Sequence, residues 1–430
     1  MHSQEDFDSK QVFHLVICWA LMPIFLYFAG QGQFWFISGH SEGTLSLVYG
    51  SLAAASSTGR NIVVAVVIFF VVFVILLTKL SSVLHGFFNN YIFLVLSFLA
   101  IISCVWAQFP VISIEHSMCL LFNVLFVFYF QERFSREQRL KILYLLGWIC
   151  LISSLAASLF VPGFGVESWT HGWRGIYGGK NQCAEITAIL IPSAYYVSAN
   201  GLTKKFFCCT YVFLSIFLVV MTRSATGKIL LLCLFICFMA LDLLKKMKAK
   251  DKLFTFFLIV ITAAPVVLAM SIYSSKIALF LDKDPTLTGR TDIWKSAMSS
   301  IMKRPVLGYG YMSFWNGYKG ESANASLDNA WAITSAHNGL LEIWLTLGAV
   351  GLSITAFSFI NAIKNFLVCF SNKDTFYVRW CICVIVLVAI YNTSEMVMMA
   401  PNHLGWILYV LACVGLSQEV KRIRMEYNHD

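Results

Sequence analysis

The chain has 430 residues, of which 59% are hydrophobic, 15% aromatic and only 12% charged. Soluble domains carry roughly 25% charged residues, and a mean hydropathy of +0.75 leaves too few charges to cover a water-facing surface of this size. An ordinary soluble enzyme, a disordered chain and a fibrous protein are excluded, and an all-α polytopic membrane protein is expected.

A membrane helix needs about 20 mainly apolar residues. Twelve candidate segments follow one another, near 12–29, 61–79, 91–107, 110–130, 141–161, 183–199, 206–221, 228–244, 253–272, 339–360, 377–396 and 401–418. The first follows a polar stretch and continues as an anchor, so no cleavable signal peptide is expected. Gln108-Phe109-Pro110 separates the third and fourth as a tight hairpin with Pro at the break. Basic residues follow alternate spans: Arg133, Arg136, Arg139 and Lys141; Lys204 and Lys205; Lys245, Lys246, Lys248, Lys250 and Lys252; Lys364 and Lys373; Lys421, Arg422 and Arg424. The positive-inside rule puts these loops and both termini in the cytoplasm. The net charge of +9 is therefore a topology signal rather than a nucleic-acid footprint.

The long loops near 30–60, 162–182 and 273–338 then fall on the outer side. The expected organisation is a membrane bundle of about nine helices over 1–272, one large outer loop over 273–338, and three membrane helices with a cytoplasmic tail over 339–430. The large loop carries its own short helix near Asp292–Met302. No internal repeat is evident, which weakens a secondary-transporter reading. Most of the 13 Cys lie inside apolar stretches and read as small hydrophobes. Cys208-Cys209 and Cys381-Ile382-Cys383 lack zinc-type spacing, so neither a disulfide framework nor a metal or cofactor site is expected.

Four constellations on the outer side carry candidate chemistry. Trp173-Arg174-Gly175-Ile176-Tyr177-Gly178-Gly179-Lys180-Asn181 combines cations with glycines that allow close backbone approach to a ligand. Thr222-Arg223-Ser224-Ala225-Thr226-Gly227 joins two spans in a turn too short to carry Arg223 far into water. Such an Arg needs an anionic partner or a wet cavity, and a guanidinium fits phosphate oxygens bidentately. In the large loop, Thr291 or Asp292 is placed to cap the following helix, which puts Arg290 near a helix N-terminus, where anions are favoured. Gly308-Tyr309-Gly310 lacks the third glycine of a nucleotide fingerprint and reads as a turn. Finally, Ser335-Ala336-His337-Asn338-Gly339-Leu340-Leu341-Glu342 sets an imidazole at the junction of loop and membrane helix. A general base there reaches both water and lipid-borne groups.

Together these motifs resemble the bacterial O-antigen ligase and polysaccharide polymerase family. The pieces are the Gly179-Lys180-Asn181 loop, Arg223, Gly289-Arg290 with Trp294, the stretch from Pro305 through Gly308-Tyr309-Gly310-Tyr311 to Phe314-Trp315, and His337-Asn338. Gly59-Arg60-Asn61-Ile62, and Tyr391-Asn392-Thr393-Ser394-Glu395 with Pro401-Asn402-His403, look more like the exopolysaccharide-polymerase branch. Lys180 departs from related loops, which often have His there. The resemblance implies a GT-C-type glycosyltransferase of the bacterial inner membrane, with its active site on the periplasmic face. It implies no cofactor and no metal. The donor would be an oligosaccharide on undecaprenyl diphosphate, and the acceptor a second glycan or lipid A–core. His337 and Arg290 would be catalytic. Arg223, Arg174, Lys180, Asn181, Asn338, Trp294, Tyr309 and Tyr311 would bind diphosphate or glycan. A chain-length regulator is a conceivable partner; nucleic acid is not.

A polymerase is favoured over a ligase. Outside enzymes, a flippase for the same lipid-linked sugars needs a charged path, for which Glu115, Glu185, Asp242, Arg379 and Glu395 lie in or beside apolar spans. A scaffold subunit of an export complex is the remaining alternative.

Overall fold

A computed structural model describes Leu21, residues 24–26, 28–29, 90–245, 290–328, 333–372 and 375–427. The expected spans near 61–79 and 253–272, most of the span near 12–29, and the motif residues 59–62 and 288–289 lie outside the described residues.

Every regular element among the described residues is helical, and one isolated antiparallel bridge pairs Val166 with Trp173. The long helices are α1 (Tyr91–Ile102), α2 (Pro110–Arg133), α3 (Arg136–Phe160), α4 (Lys180–Ala199), α5 (Lys205–Met221), α6 (Ala225–Lys245), α7 (Arg290–Lys303), α8 (Ser322–Asp328), α9 (Gly339–Asn372), α10 (Phe376–Tyr391) and α11 (Leu404–Tyr427). Five of them, α2, α3, α6, α9 and α11, are long and apolar enough to cross a membrane. Nine of the twelve expected spans coincide with described helices.

Local signals explain where the helices start. Pro110 opens α2, where a missing N–H costs nothing. Ser135 and Gln138 form a reciprocal capping box at α3, at 3.3 and 2.9 Å. Thr375 accepts from Val378 N at 3.3 Å and caps α10. Thr291 and Asp292 do not cap α7. That helix already includes Arg290, so both sit within its first turn, where the Asp292 carboxylate complements the helix dipole.

The chain divides into two compact units. The first holds residues 1–80, 129–231 and 402–404. Within it α3, α4 and α5 pack on one another, with Tyr144 and Tyr211 edge-to-face at 5.4 Å. The second holds residues 81–128, 232–401 and 405–430. Its core includes Phe93 against Trp406 at 5.9 Å and Tyr409 at 6.2 Å. The contact at 2.6 Å between the buried Arg379 and the exposed Asp242 ties α6 to α10.

The second unit is organised around a break in α9. Gly348 has φ 67° and ψ −168°, a region open essentially to glycine alone. The break strands backbone groups on both sides, and the segment after α7 supplies partners for them. Tyr309 N and Gly310 N donate to Leu345 O and Thr346 O, at 3.0 and 2.9 Å. In return Ala349 N and Val350 N donate to Pro305 O and Val306 O, at 2.8 and 3.3 Å. The Gly308-Tyr309-Gly310 turn is thus spliced into a membrane helix, as backbone polar groups at such a place require. The approach is close: a Cβ on Gly348 would lie 2.0 Å from Val306 O, and one on Gly308 2.6 Å from Leu345 O. Gly348→Ala should therefore destabilise the protein by on the order of 3 kcal/mol, read as a lower thermal midpoint in detergent; an unchanged midpoint would count against the splice.

Candidate active site

The α10–α11 connection and the entry to α9 meet at one point. Gly339 N donates to Asn392 O at 2.8 Å. A Cβ on Gly339 would sit 2.0 Å from Asn392 Oδ1, so only a bare backbone lets the two segments touch. Asn392 Oδ1 also accepts from Val397 N and Met398 N, at 3.0 and 2.9 Å, and fixes the turn that follows α10. That turn carries Glu395.

Glu395 joins the two residues expected to be catalytic. Its Oε2 accepts from His337 Nδ1 at 2.9 Å, and its Oε1 accepts from Arg290 Nη2 at 3.2 Å. The three side chains remain 31%, 26% and 23% exposed for His337, Arg290 and Glu395, so a substrate can reach them. In a neutral ring, a carboxylate accepting at Nδ1 selects the tautomer protonated on that atom, with the lone pair on Nε2. The arrangement is an imidazole base oriented by a carboxylate, with a guanidinium on the same carboxylate. His337 has φ 49°, an uncommon conformation for a residue with a side chain. Its own N–H donates to Ser335 Oγ at 2.9 Å.

The remaining expected residues of this unit serve to hold the site. Asn338 Oδ1 accepts from Leu340 N and Leu341 N, at 3.1 and 3.3 Å, and caps α9. Trp294 Nε1 donates to Ala336 O at 2.9 Å. Tyr309 and Tyr311 are buried rather than open to a glycan. Their hydroxyls donate to Ser300 O, at 2.9 Å, and to Met399 O. Burial pushes both phenols above their usual range, so each stays a neutral donor. In this structure they anchor the loop.

The first unit carries the other cations. Lys180 opens α4, and Glu167 meets it twice: Oε1 accepts from Lys180 N at 2.9 Å, and Oε2 lies 3.9 Å from Lys180 Nζ. That carboxylate occupies the place at the helix N-terminus an anion would take, and it weighs against Lys180 as a phosphate ligand. Arg174 Nε donates to Phe164 O at 2.7 Å, with the guanidinium 5.9 Å from the Phe164 ring. Asn181 Oδ1 accepts from Ser224 Oγ at 2.8 Å, and Ser224 Oγ accepts from Gly227 N at 3.1 Å. The starts of α4 and α6 are thereby joined. Arg223 is exposed, with φ 55°. It occupies a left-handed position after α5 that usually belongs to glycine, and Nη1 donates to Thr170 O at 3.3 Å.

Sequence reasoning named Glu395 as an acid beside an apolar span but did not place it with His337 and Arg290. It was visible as an acid at the end of an apolar span, where a buried or half-buried carboxylate needs a cation; what the sequence lacked was the Gly339–Asn392 contact that selects His337 and Arg290 as its partners. Gly339→Ala should separate the two segments and lower the expected glycosyl-transfer activity by roughly 10²-fold, since about 1 Å of misplacement costs that much; activity per folded molecule is the measurement, and parental activity would remove the contact from the site.

No curated protein matches the chain. Residues 210–356 match the family model described as O-antigen ligase. That segment contains Arg223, Arg290, Trp294 and His337, and ends before Glu395. Over this segment, about a third of the chain, the protein is similar to the O-antigen ligase family.

Proposed function

We propose that the chain is an inner-membrane glycosyltransferase that polymerises undecaprenyl-diphosphate-linked oligosaccharide repeat units into O-antigen or exopolysaccharide on the periplasmic face. The observation that carries this reading is the Glu395 bridge between His337 and Arg290. Glu395 orients the imidazole and offers a counter-charge as the imidazolium forms. His337 Nε2 takes the proton of an acceptor sugar hydroxyl. The hydroxyl oxygen then bonds to the anomeric carbon of the donor, and the bond from that carbon to the diphosphate oxygen breaks. The electron pair leaves with the diphosphate, whose charge Arg290 meets. In this reading a guanidinium, not a metal ion, serves the leaving group.

The family description is equally consistent with a second reading, in which the same chemistry transfers the glycan to lipid A–core. The two differ in acceptor alone. A deletion strain separates them: loss of a polymerase leaves single repeats, whereas loss of a ligase leaves long chains on the lipid carrier. The flippase alternative draws less support. Asp242 pairs with Arg379, Glu185 lies 3.5 Å from His403, and Glu395 is held by Arg290 and His337, so these acids already have local partners.

With purified protein, lipid-linked oligosaccharide and detergent, glycan transfer should proceed without a vesicle compartment. His337→Ala should cost about 10²–10⁴-fold and Arg290→Ala about 10²–10³-fold, with membrane insertion intact. Near-parental product from either variant, at matched protein level, would take that residue out of the mechanism.

A further inference from the structure

The His337 loop rests on a second carboxylate, at its other end. Glu342 lies in the first turn of α9 and is 2% exposed. Its Oε1 accepts from Ala336 N, and Trp315 Nε1 donates to both oxygens, at 2.9 and 3.0 Å. A carboxylate buried this deeply is costly unless donors surround it, and a helix N-terminus favours negative charge. The Ala336 carbonyl is held as well, by Trp294 Nε1 at 2.9 Å. Trp294 lies one turn after Arg290 on α7. The residue immediately before His337 is therefore clamped at its N–H by Glu342 and at its C=O by the helix that carries Arg290. Ala336 itself is fully buried among Ile293, Ala325 and Ile333, so the clamp cannot slide.

We infer that Glu342 is a positioning residue for His337: through Ala336 it fixes the left-handed backbone that aims the imidazole at Glu395. Packing alone has no need for a charge here, since an apolar side chain of similar size would fill the space without the cost of burying a carboxylate. The inference rests on His337 being the base. Glu342 touches neither reacting group; it acts through the backbone and the Trp315 indole.

The test uses the full chain in detergent with lipid-linked oligosaccharide, and compares kcat and KM for Glu342→Gln, Glu342→Leu and Trp315→Phe, normalised to the folded fraction from thermal melts. Glu342→Gln keeps an oxygen for Ala336 N–H, and Glu342→Leu keeps only bulk. The expected order of kcat is parent, then Gln, then Leu, with Leu lower by roughly 10²-fold and KM within about twofold throughout. Trp315→Phe, which removes one donor and leaves the ring, should lower kcat by about tenfold, and it decides the matter if the Glu342 variants do not fold. Equal kcat for Gln and Leu, or a parental kcat in Trp315→Phe where the Glu342 variants do not fold, overturns the inference. His337→Ala is run beside them: if it retains activity the proposed base is wrong, whereas its inactivity together with an unaffected Glu342→Leu removes only the positioning role.

Discussion

The constraint on which the second unit depends is the satisfaction of backbone groups at the break in α9. A helix broken at Gly348 leaves carbonyls and amides that a membrane interior cannot hydrate. Residues 305–310 meet them through four reciprocal bonds. This one exchange fixes the end of α7 against α9. Tyr309 then reaches back to Ser300, and Phe314 and Trp315 stack edge-to-face at 4.8 Å. Trp315 in turn holds Glu342. The loop that carries Arg290 is therefore tied to the helix that follows His337 by backbone first and by indoles second.

Two carboxylates with different surroundings do different work at this site. Glu395 stays partly exposed and takes one hydrogen bond from a guanidinium and one from an imidazole. Glu342 is enclosed and takes its hydrogen bonds from a backbone amide and an indole. The first faces the chemistry; the second faces the scaffold. His337 sits between them, with its ring directed by one acid and its backbone by the other. Preorganisation of this kind reduces the reorganisation left to the moment of reaction.

Much of the fold was legible because a membrane imposes a simple code. Apolar length marked the helices, and Pro110 and Ser135 marked their starts. The break at Gly348 was not legible, since a glycine in an apolar span is common and nothing local announces left-handed geometry. His337 and Arg290 stood out as ionisable groups at loop–helix junctions. Glu395 stood out only as an acid beside an apolar span, because its pairing with them depends on contacts between segments far apart in sequence. The resemblance implied glycan binding by Tyr309 and Tyr311; the structure buries both rings, with their hydroxyls on Ser300 O and Met399 O. The pairing of Lys180 was not legible, because Glu167 lies thirteen residues earlier and was not marked by any motif.

The splice into α9 is made by main-chain atoms, and main-chain atoms are common to every amino acid. Apart from glycines such as Gly308 and Gly348, where a Cβ would collide, the joint places little demand on residue identity. Val306 and Leu307, 58% and 45% exposed beside it, are thus free to change while the frame stays put. A single scaffold of this design can vary the surface it presents without rebuilding its hinge-pin.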